Sequence, residues 1–561
     1  MNIVTAEEIQ EIDSAIDAVI PSQPLLSRNR DVALIHLLRH YEMYQYQCAS
    51  IRNPGEREIV NKHGYEGMHH AVKWIFQFCL ANYSRPNLSY DEYAYQEAAE
   101  LHKAARDYSK VWDLMSMLQR GLLIGFREKD RVLSISFAST LDKEMDIAGD
   151  LIAGPDDPDV QVSEPIVTPF IKDLILHNVK ARTDSHQALK YNIPNIVFDQ
   201  VSDRIDRLTA GRWVMDSSWD LGGYTIGQLR QFWTALNTLC LIHELVCFSL
   251  KDHQRILELV VRFLNRKAWE KELSIRSKLR QEVVSQIISD LIYDPGLYEP
   301  GSKQAHVTFQ PIFSFGCDIL AVSNWLVHTS NIERNTWDLV SIKRPPLHSK
   351  LRNFKEKNWV EELQNKSESF GVKVYPPIEF KLNGRKSDLD VLILDQKLGF
   401  GLVCQLKWLM APGRISNTIY NDKEIEKGIE QARLALDWVK SYPTRLSQHT
   451  GLSLEELRQY EFRPIVICKS CLASGWLRQP GIPVINERLF DWILGDPHRK
   501  SLKTLWYVAE ELRYLPKIGK HFEDICKSVE FGGICFKGEP IGYILKEVWN
   551  PAEDINLEGL S

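Results

Sequence analysis

The chain has 561 residues, of which 44% are hydrophobic, 10% aromatic and 25% charged, a composition that excludes disordered and fibrous proteins. The 68 Lys and Arg against 74 Asp and Glu give a formal net charge of −6, which taken alone argues against a nucleic-acid binder. The start, MNIVTAEEIQEID, carries acids where a signal peptide needs basic residues, and no segment reaches the ~18 apolar residues of a membrane span. We therefore expect a cytoplasmic protein without membrane contact.

Cysteine spacing and glycine motifs exclude several further classes. Ten cysteines lie mostly within apolar stretches, which is typical of reduced core thiols. The one CxxC, Cys468 to Cys471, has no second pair or matching histidines, so a zinc site is not expected. The chain contains neither a P-loop nor the glycine spacing of a dinucleotide-binding loop.

The first two-thirds of the chain show helical periodicity, as in DVALIHLLRHYEMYQYQ and IGQLRQFWTALNTLCLIHELVCFSL. A β-hairpin is predicted in LLIGFREKDRVLSISF, where alternating runs flank the polar turn 128–130. The segment 153–169 has four prolines and four acids and is predicted to be a linker. These patterns predict a helical domain with a hairpin over 1–152 and a second helical domain over 170–340.

The pattern changes at about residue 345. The helix-like NWVEELQNKSESFG is followed by three strand-like runs, VKVYPPIEFKL, LDVLILD and FGLVCQLKWLM, then by a helix and the strand RPIVICKS. This order predicts an α/β domain with a mixed central sheet over 345–515, followed by a C-terminal extension over 516–561. The predicted fold class is thus multidomain, with mainly α-helical N-terminal two-thirds and a C-terminal α/β domain.

Polar residues interrupt two apolar strands of this domain, at positions where a purely structural sheet would carry apolar side chains. A turn at 396–399 would pair Asp395 with Phe400, so that the numbers of paired residues sum to 795. Directly opposed residues share a face of the sheet, as do residues i and i+2. In this register the opposed polar pairs are Asp390 with Gln405 and Asp388 with Lys407. All four side chains are therefore predicted to converge on one face.

Such a set of side chains suits phosphodiester hydrolysis. Mg²⁺ prefers carboxylates, neutral oxygens and waters. Asp390 would supply the charged ligand, Gln405 a side-chain oxygen and Leu406 a carbonyl, while Lys407 would orient the attacking water or offset developing charge. We expect Mg²⁺ or Mn²⁺ as cofactor; the structural alternative is an Asp–Lys ion pair that closes a sheet edge.

These residues resemble the PD-(D/E)xK, or restriction-endonuclease-like, nuclease superfamily. Within it they are most similar to Mrr-type restriction nucleases, in which Gln commonly replaces the acid of the second half-motif. The resemblance covers about 350–495 and rests on the strand Ser387 to Asp390, on Gln405-Leu406-Lys407 and on the order of elements. The sequence departs from the commonest pattern because no Pro precedes the motif aspartate.

The resemblance implies a restriction-endonuclease-like fold and assigns roles to individual residues. They are Asp390 as metal-binding aspartate, Gln405 and Lys407 as the QxK pair, Gln431 as a polar helix residue beside the site, and Glu362, or else Glu361, as an assisting glutamate of the leading helix. It also implies an endonuclease of restriction or anti-phage defence that acts on DNA rather than RNA. The helical region would then serve recognition, a homo-oligomer or a partner protein.

Charge is distributed unevenly along the chain. Residues 341–520 contain 30 Lys and Arg against 21 Asp and Glu, a net +9, whereas residues 1–340 carry a net −10 and residues 521–561 a net −5. Basic charge therefore accumulates where phosphates are expected. Arg385, Lys386 and Arg414 are candidate contacts to the DNA backbone.

Two other functions remain open. The neutral Gln405 weakens metal affinity relative to a carboxylate, which leaves a catalytically inactive nuclease fold that binds nucleic acid or protein. Arg30 followed by His36 in a helical region faintly resembles HEPN ribonucleases, which would act on RNA without metal.

Overall fold

The structure is a computed structural model that describes most of the chain. The described ranges are 2–51, 54–81, 85–129, 131–153, 167–183, 189–213, 215–297, 307–409, 415–495, 501–524, 527–538 and 543–545. Most of the predicted linker, residues 154–166, lies outside them. Among the helices in these ranges, none combines the length and the apolar composition needed to cross a bilayer.

Side-chain caps begin the helices of the N-terminal region. Thr5 and Glu8 form a reciprocal capping box, and Asn29 and Asp91 each accept a hydrogen bond from a first-turn N–H group. The elements are α1 (Ala6–Asp17), α2 (Arg30–Ala49), α3 (Pro54–Phe78), α4 (Glu92–Gln119) and α5 (Thr140–Ala153), with strands β1 (Asn2–Ile3), β2 (Leu123–Lys129) and β3 (Val132–Phe137). The predicted hairpin is confirmed as β2 and β3, which pair antiparallel.

The second helical region packs around α8 (Ile226–Phe248), a helix that is apolar on nearly all sides and is therefore almost wholly buried. Its helices are α6 (Pro169–Asn178), α7 (Asn195–Thr209), α8 (Ile226–Phe248), α9 (His253–Leu259), α10 (Arg266–Ser277), α11 (Gln281–Leu291), α12 (Asn324–Thr329) and α13 (Ile332–Lys343). It also contains the strand pair β4 (Ala181–Thr183) and β5 (Leu189–Tyr191), and a small sheet of β6 (Arg262–Asn265), β7 (Ile312–Phe315) and β8 (Ile319–Val322).

The C-terminal part alternates helices and strands, which confirms an α/β part after the helical regions. Its helices are α14 (Pro345–Ser369), α15 (Ile415–Ser441), α16 (Pro443–Thr450), α17 (Leu454–Arg458), α18 (Glu487–Gly495) and α19 (Leu502–Glu510). Its first strands are β9 (Lys373–Tyr375), β10 (Ile378–Leu382), β11 (Arg385–Leu389), β12 (Val391–Asp395), β13 (Phe400–Lys407), β14 (Glu461–Cys468) and β15 (Val484–Asn486).

The central sheet has the strand order β15-β14-β13-β12-β9 and is mixed, as predicted. Strands β13, β14 and β15 are parallel, whereas β12 is antiparallel to both of its neighbours. Leu392 and Val403 share a core with Trp438 of α15, whereas Ile393 shares a core with Trp359 of α14. The sheet is therefore covered by helices on both faces.

The last described strands return to the beginning of the chain. They are β16 (Phe522–Asp524), β17 (Lys527–Phe531), β18 (Ile534–Gly538) and β19 (Tyr543–Leu545). β18 pairs parallel with β3 and antiparallel with β17, which gives the sheet order β1-β2-β3-β18-β17. In the other direction, Met145 and Ala148 of α5 enter the core of the C-terminal part. The cores thus extend across the predicted domain boundaries.

Candidate active site

The hairpin of β12 and β13 has the predicted register. Asp395 pairs with Phe400, and the ladder runs to Val391 and Cys404, so the paired numbers sum to 795. At the turn, Gly399 has φ +60°, and a Cβ there would lie 2.8 Å from the Gln459 carbonyl oxygen. Only glycine fits this turn without displacing its neighbour.

The predicted pairing of Asp388 with Lys407 is wrong. Residues 385–389 leave the central sheet one residue before β12 and pair instead with β10, which places Asp388 opposite Glu379. Asp388 nevertheless stays beside the predicted site, because its backbone carbonyl accepts a hydrogen bond from Nε2 of Gln405 at 2.7 Å.

Asp390 lies between the two hairpins, and its carboxylate accepts a hydrogen bond from the Leu406 N–H at 2.7 Å. Burial raises the pKa of Asp390 to about 7, against the effect of this hydrogen bond. The negative charges of Asp388 and Glu356 contribute to this increase in pKa, whereas the charge of Lys407 opposes it. A buried carboxylate among like charges is an environment that a bound cation would stabilise.

Gln405 is fully buried in the middle of β13. Its Nε2 is bound to Asp388, but its Oε1 has no hydrogen-bond partner among the described residues. A buried oxygen without a partner costs free energy unless a ligand supplies one. This oxygen therefore fits the second metal ligand that the sequence predicts.

Lys407 projects toward α15, where its Nζ donates a hydrogen bond to Oε1 of Gln431 at 2.7 Å. Gly428 of the same helix makes room for it, because a Cβ there would lie 2.7 Å from Cε of Lys407. The structure thus brings together Lys407 and Gln431, and the charge of Lys407 acts on Asp390.

The fit to a metal depends on neutral oxygens as well as charge. Within the described ranges, no group of three or more His, Cys, Asp or Glu side chains is arranged to hold a metal ion. Asp390 and Gln405 would supply one carboxylate and one amide oxygen, and Mg²⁺ typically keeps several waters in such a site. Leu406 pairs with Ile467 in the parallel ladder, and the role of its carbonyl as a ligand stays a prediction.

The roles predicted for Glu362 and Glu361 of the leading helix α14 stay predictions, and the structure adds a third glutamate of that helix. Glu362 forms an ion pair with Lys469 at 3.2 Å, and Glu361 is exposed. The helix residue whose charge reaches Asp390 is Glu356, which is also paired with Arg352 at 3.0 Å. Six residues separate Glu356 from Glu362, or about 9 Å along a helix, a displacement that the sequence pattern does not reveal.

The predicted phosphate contacts fall into two groups. Arg385 and Lys386 are exposed at the tip of the β10–β11 hairpin, whose β11 strand leads directly into Asp390. Arg414 lies outside the described residues.

The residues behind the HEPN-like interpretation have structural partners. The ring of His36 bonds to the Val32 carbonyl through Nδ1 and to the Asp91 N–H through Nε2. Arg30 donates to the carbonyl oxygens of Phe76 and Cys79. Both side chains therefore fasten neighbouring segments together, and the HEPN-like interpretation stays a prediction.

Comparison with protein-family models, curated proteins and solved structures finds no match to this chain.

Proposed function

We propose that the C-terminal α/β part is a metal-dependent nuclease that hydrolyses phosphodiester bonds. The observation that carries this proposal is that the partly buried Asp390 carboxylate accepts the N–H of Leu406, while the buried Oε1 of the preceding residue, Gln405, has no hydrogen-bond partner in the described part of the chain. Lys407, held by Gln431, supplies a cation at the same place. The order of helix, antiparallel strands, helix and parallel strand around these residues supports the resemblance to PD-(D/E)xK nucleases.

Each residue has a role that its contacts suggest. A bound Mg²⁺ or Mn²⁺ would polarise the phosphate and acidify a water. Asp390 and Gln405 would hold that ion, and the Leu406 N–H fixes the orientation of the Asp390 carboxylate. The Lys407 ammonium would orient the water or offset negative charge on the phosphate in the transition state.

DNA is the proposed substrate. The net +9 of residues 341–520 favours a polyanion, and the resemblance favours DNA over RNA. A role in defence against foreign DNA, a dimer or partner bound through the helical regions, and a cytoplasmic location follow from the resemblance and the sequence alone.

The direct test is incubation of the purified full chain with plasmid, linear duplex, single-stranded DNA and RNA in Mg²⁺, Mn²⁺ or EDTA. We expect metal-dependent cleavage of DNA and a loss of at least about 100-fold in Asp390→Asn and Lys407→Met. Glu362→Gln, an exposed change on α14, is the control for a surface charge. Equal cleavage by all four proteins, with unfolding curves that show each is folded, would contradict the proposal.

The second candidate is a nuclease fold without catalysis that binds nucleic acid or protein, and the neutral Gln405 favours it. In Gln405→Glu a second carboxylate joins Asp390, so calorimetric titration should show tighter binding of Mn²⁺ than in the natural chain. Absence of metal binding in both proteins would favour the inactive scaffold. Binding in both, together with cleavage, would favour the enzyme.

A further inference from the structure

The β10–β11 hairpin is a short ribbon that stands next to the candidate site. Its turn residues, Asn383 and Gly384, both have positive φ, the conformation that closes a tight two-residue turn. A Cβ on Gly384 would meet no atom within 4 Å, so the tip projects into open space. Residue Leu389 at the base is followed at once by Asp390.

One face of this ribbon is packed and the other is free. Ile378, Phe380 and Leu382 are buried against α15, where the Phe380 ring stacks on Trp438 with ring centroids 5.2 Å apart. Because side chains alternate along a strand, the intervening residues form the outer face. These residues are, from base to tip, Glu379 opposite Asp388 and then Lys381 opposite Lys386.

The two lysines at the tip lie directly opposite each other and are exposed. Opposed residues of an antiparallel pair have Cβ atoms about 5 Å apart, and like charges there are destabilising. Arg385 is a third exposed cation at the tip, but it pairs with Leu382 and so belongs to the other face of the ribbon. Within the described part of the chain, no carboxylate forms an ion pair with any of the three.

The charge on the outer face of the ribbon therefore changes from negative to positive over a short distance. The acidic pair lies beside the candidate metal site, and the lysine pair lies two residues further out, about 7 Å along the strand. One strand of duplex DNA advances ~3.4 Å along the helix axis for each phosphate, so about 7 Å of rise along the axis corresponds to two phosphate steps. The lysine pair is thus placed for a phosphate close to the one that would be cut.

We propose that the β10–β11 hairpin is a duplex-DNA-binding arm, in which Lys381 and Lys386 hold backbone phosphates beside the scissile bond. This inference rests on the proposed nuclease function. It adds Lys381 to the predicted phosphate contacts and specifies that the DNA substrate is a duplex. A two-stranded ribbon fits the major groove of duplex DNA, whereas the major groove of an RNA helix is too narrow for side chains to read. The outer face has no aromatic residue on which an unpaired base could stack, as single-strand binders require.

The test measures binding separately from cleavage. A labelled duplex of about 25 base pairs is titrated in EDTA with the full chain and with the double variant Lys381→Ala, Lys386→Ala at several salt concentrations. Two lost phosphate contacts should reduce the slope of log affinity against log salt by about 1.8. Between 50 and 200 mM salt the affinity of the natural chain should then fall about 12-fold more than that of the variant.

The control removes the same charge elsewhere. Lys267 and Lys271 are exposed one turn apart on α10, and Lys267→Ala, Lys271→Ala should leave the slope unchanged. The variant Lys381→Arg, Lys386→Arg keeps both charges and should bind like the natural chain. Removing opposed like charges should not lower the melting temperature, so loss of binding would not reflect unfolding.

The outcomes separate the two proposals. An unchanged slope in the Lys381, Lys386 variant would overturn the arm even if the protein cleaves DNA. A reduced slope without metal-dependent cleavage would support the arm and contradict the nuclease. A larger effect of the variant on single-stranded DNA or RNA than on the duplex would overturn the choice of duplex DNA.

Discussion

At the scale of single residues, the most informative features are polar groups where the core would accept apolar ones. Asp390, Gln405 and Lys407 were predictable because all three lie in or beside two adjacent strands whose register follows from one short turn. The environment of each was not, because burial and the charges of distant residues depend on tertiary packing. An example that only the structure provides is Oε1 of Gln405, which has no hydrogen-bond partner within the described ranges.

A second buried acid, Glu42 of α2, gives a prediction about stability. It is fully buried, its Oε1 accepts a hydrogen bond from Ser323 at 2.6 Å, and its Oε2 has no partner among the described residues. Burial raises the pKa of Glu42 to about 8, against the effect of the Ser323 hydrogen bond, and the charge of Glu244 adds to the increase.

The sign of the pH dependence follows from this direction. The folded state holds the Glu42 proton up to about pH 8, whereas the unfolded chain releases it near pH 4.5, so the free energy of unfolding falls as pH rises between these values. Glu42→Gln keeps the acceptor and cannot ionise, so between pH 5 and 8 it should lose less stability than the natural chain, by up to a few kcal/mol. Urea unfolding at pH 5, 6.5 and 8 measures this, with the exposed Glu361→Gln as control. Parallel curves for Glu42→Gln and the natural chain would contradict it.

At the scale of elements, local sequence patterns predicted most helices and two hairpins with short turns, β2–β3 and β12–β13. The small sheet of β6, β7 and β8 was not predicted, because four-residue strands within a helical region carry little periodic signal. The separation of β11 from β12 was also missed, since the apolar alternation continues through Asp390 and does not show which partner each half prefers.

The glutamate of α14 whose charge acts on Asp390 gives a prediction at the scale of elements. Glu356, rather than Glu362, is the helix glutamate whose charge acts on Asp390. If Glu356 helps to hold waters around the metal, Glu356→Gln should weaken Mn²⁺ binding and cleavage by roughly tenfold, the usual effect of an outer ligand. Glu362→Gln, which breaks only the ion pair with Lys469, should change neither. Calorimetry with Mn²⁺ is the measurement, and the reverse result would restore the glutamate that the sequence suggested.

At the scale of the whole molecule, contacts between distant parts of the chain were beyond the reach of the sequence. The pairing of β18 with β3 joins residues about 400 apart, and α5 fills the C-terminal core with Met145 and Ala148. The sequence of neither segment shows which part of the chain it packs against, because an apolar strand edge or helix face fits many surfaces.

This pairing predicts the effect of shortening the chain. A protein that ends after residue 526 loses Val529, Phe531 and Phe536 from the N-terminal core and leaves the edge of β3 unpaired. We expect a loss of roughly 5 kcal/mol in the stability of that core and a tendency to associate through the exposed edge. A protein that ends after residue 545 keeps β17, β18 and β19 and should be more stable than the one that ends after residue 526. Thermal unfolding and size-exclusion chromatography compare the two; equal behaviour would show that the pairing contributes little.

The same pairing sets an order of events during synthesis. β3 leaves the ribosome about 400 residues before β18, which at 5–20 residues per second is a delay of about 20 to 80 s. Throughout that time the N-terminal sheet has an open edge, whereas the hairpin of β12 and β13 can close once it is made, about 130 residues before β18. The residues of the candidate site would therefore assemble before the beginning of the chain receives its final strands, and a nascent chain would depend on chaperones to protect that edge rather than the site.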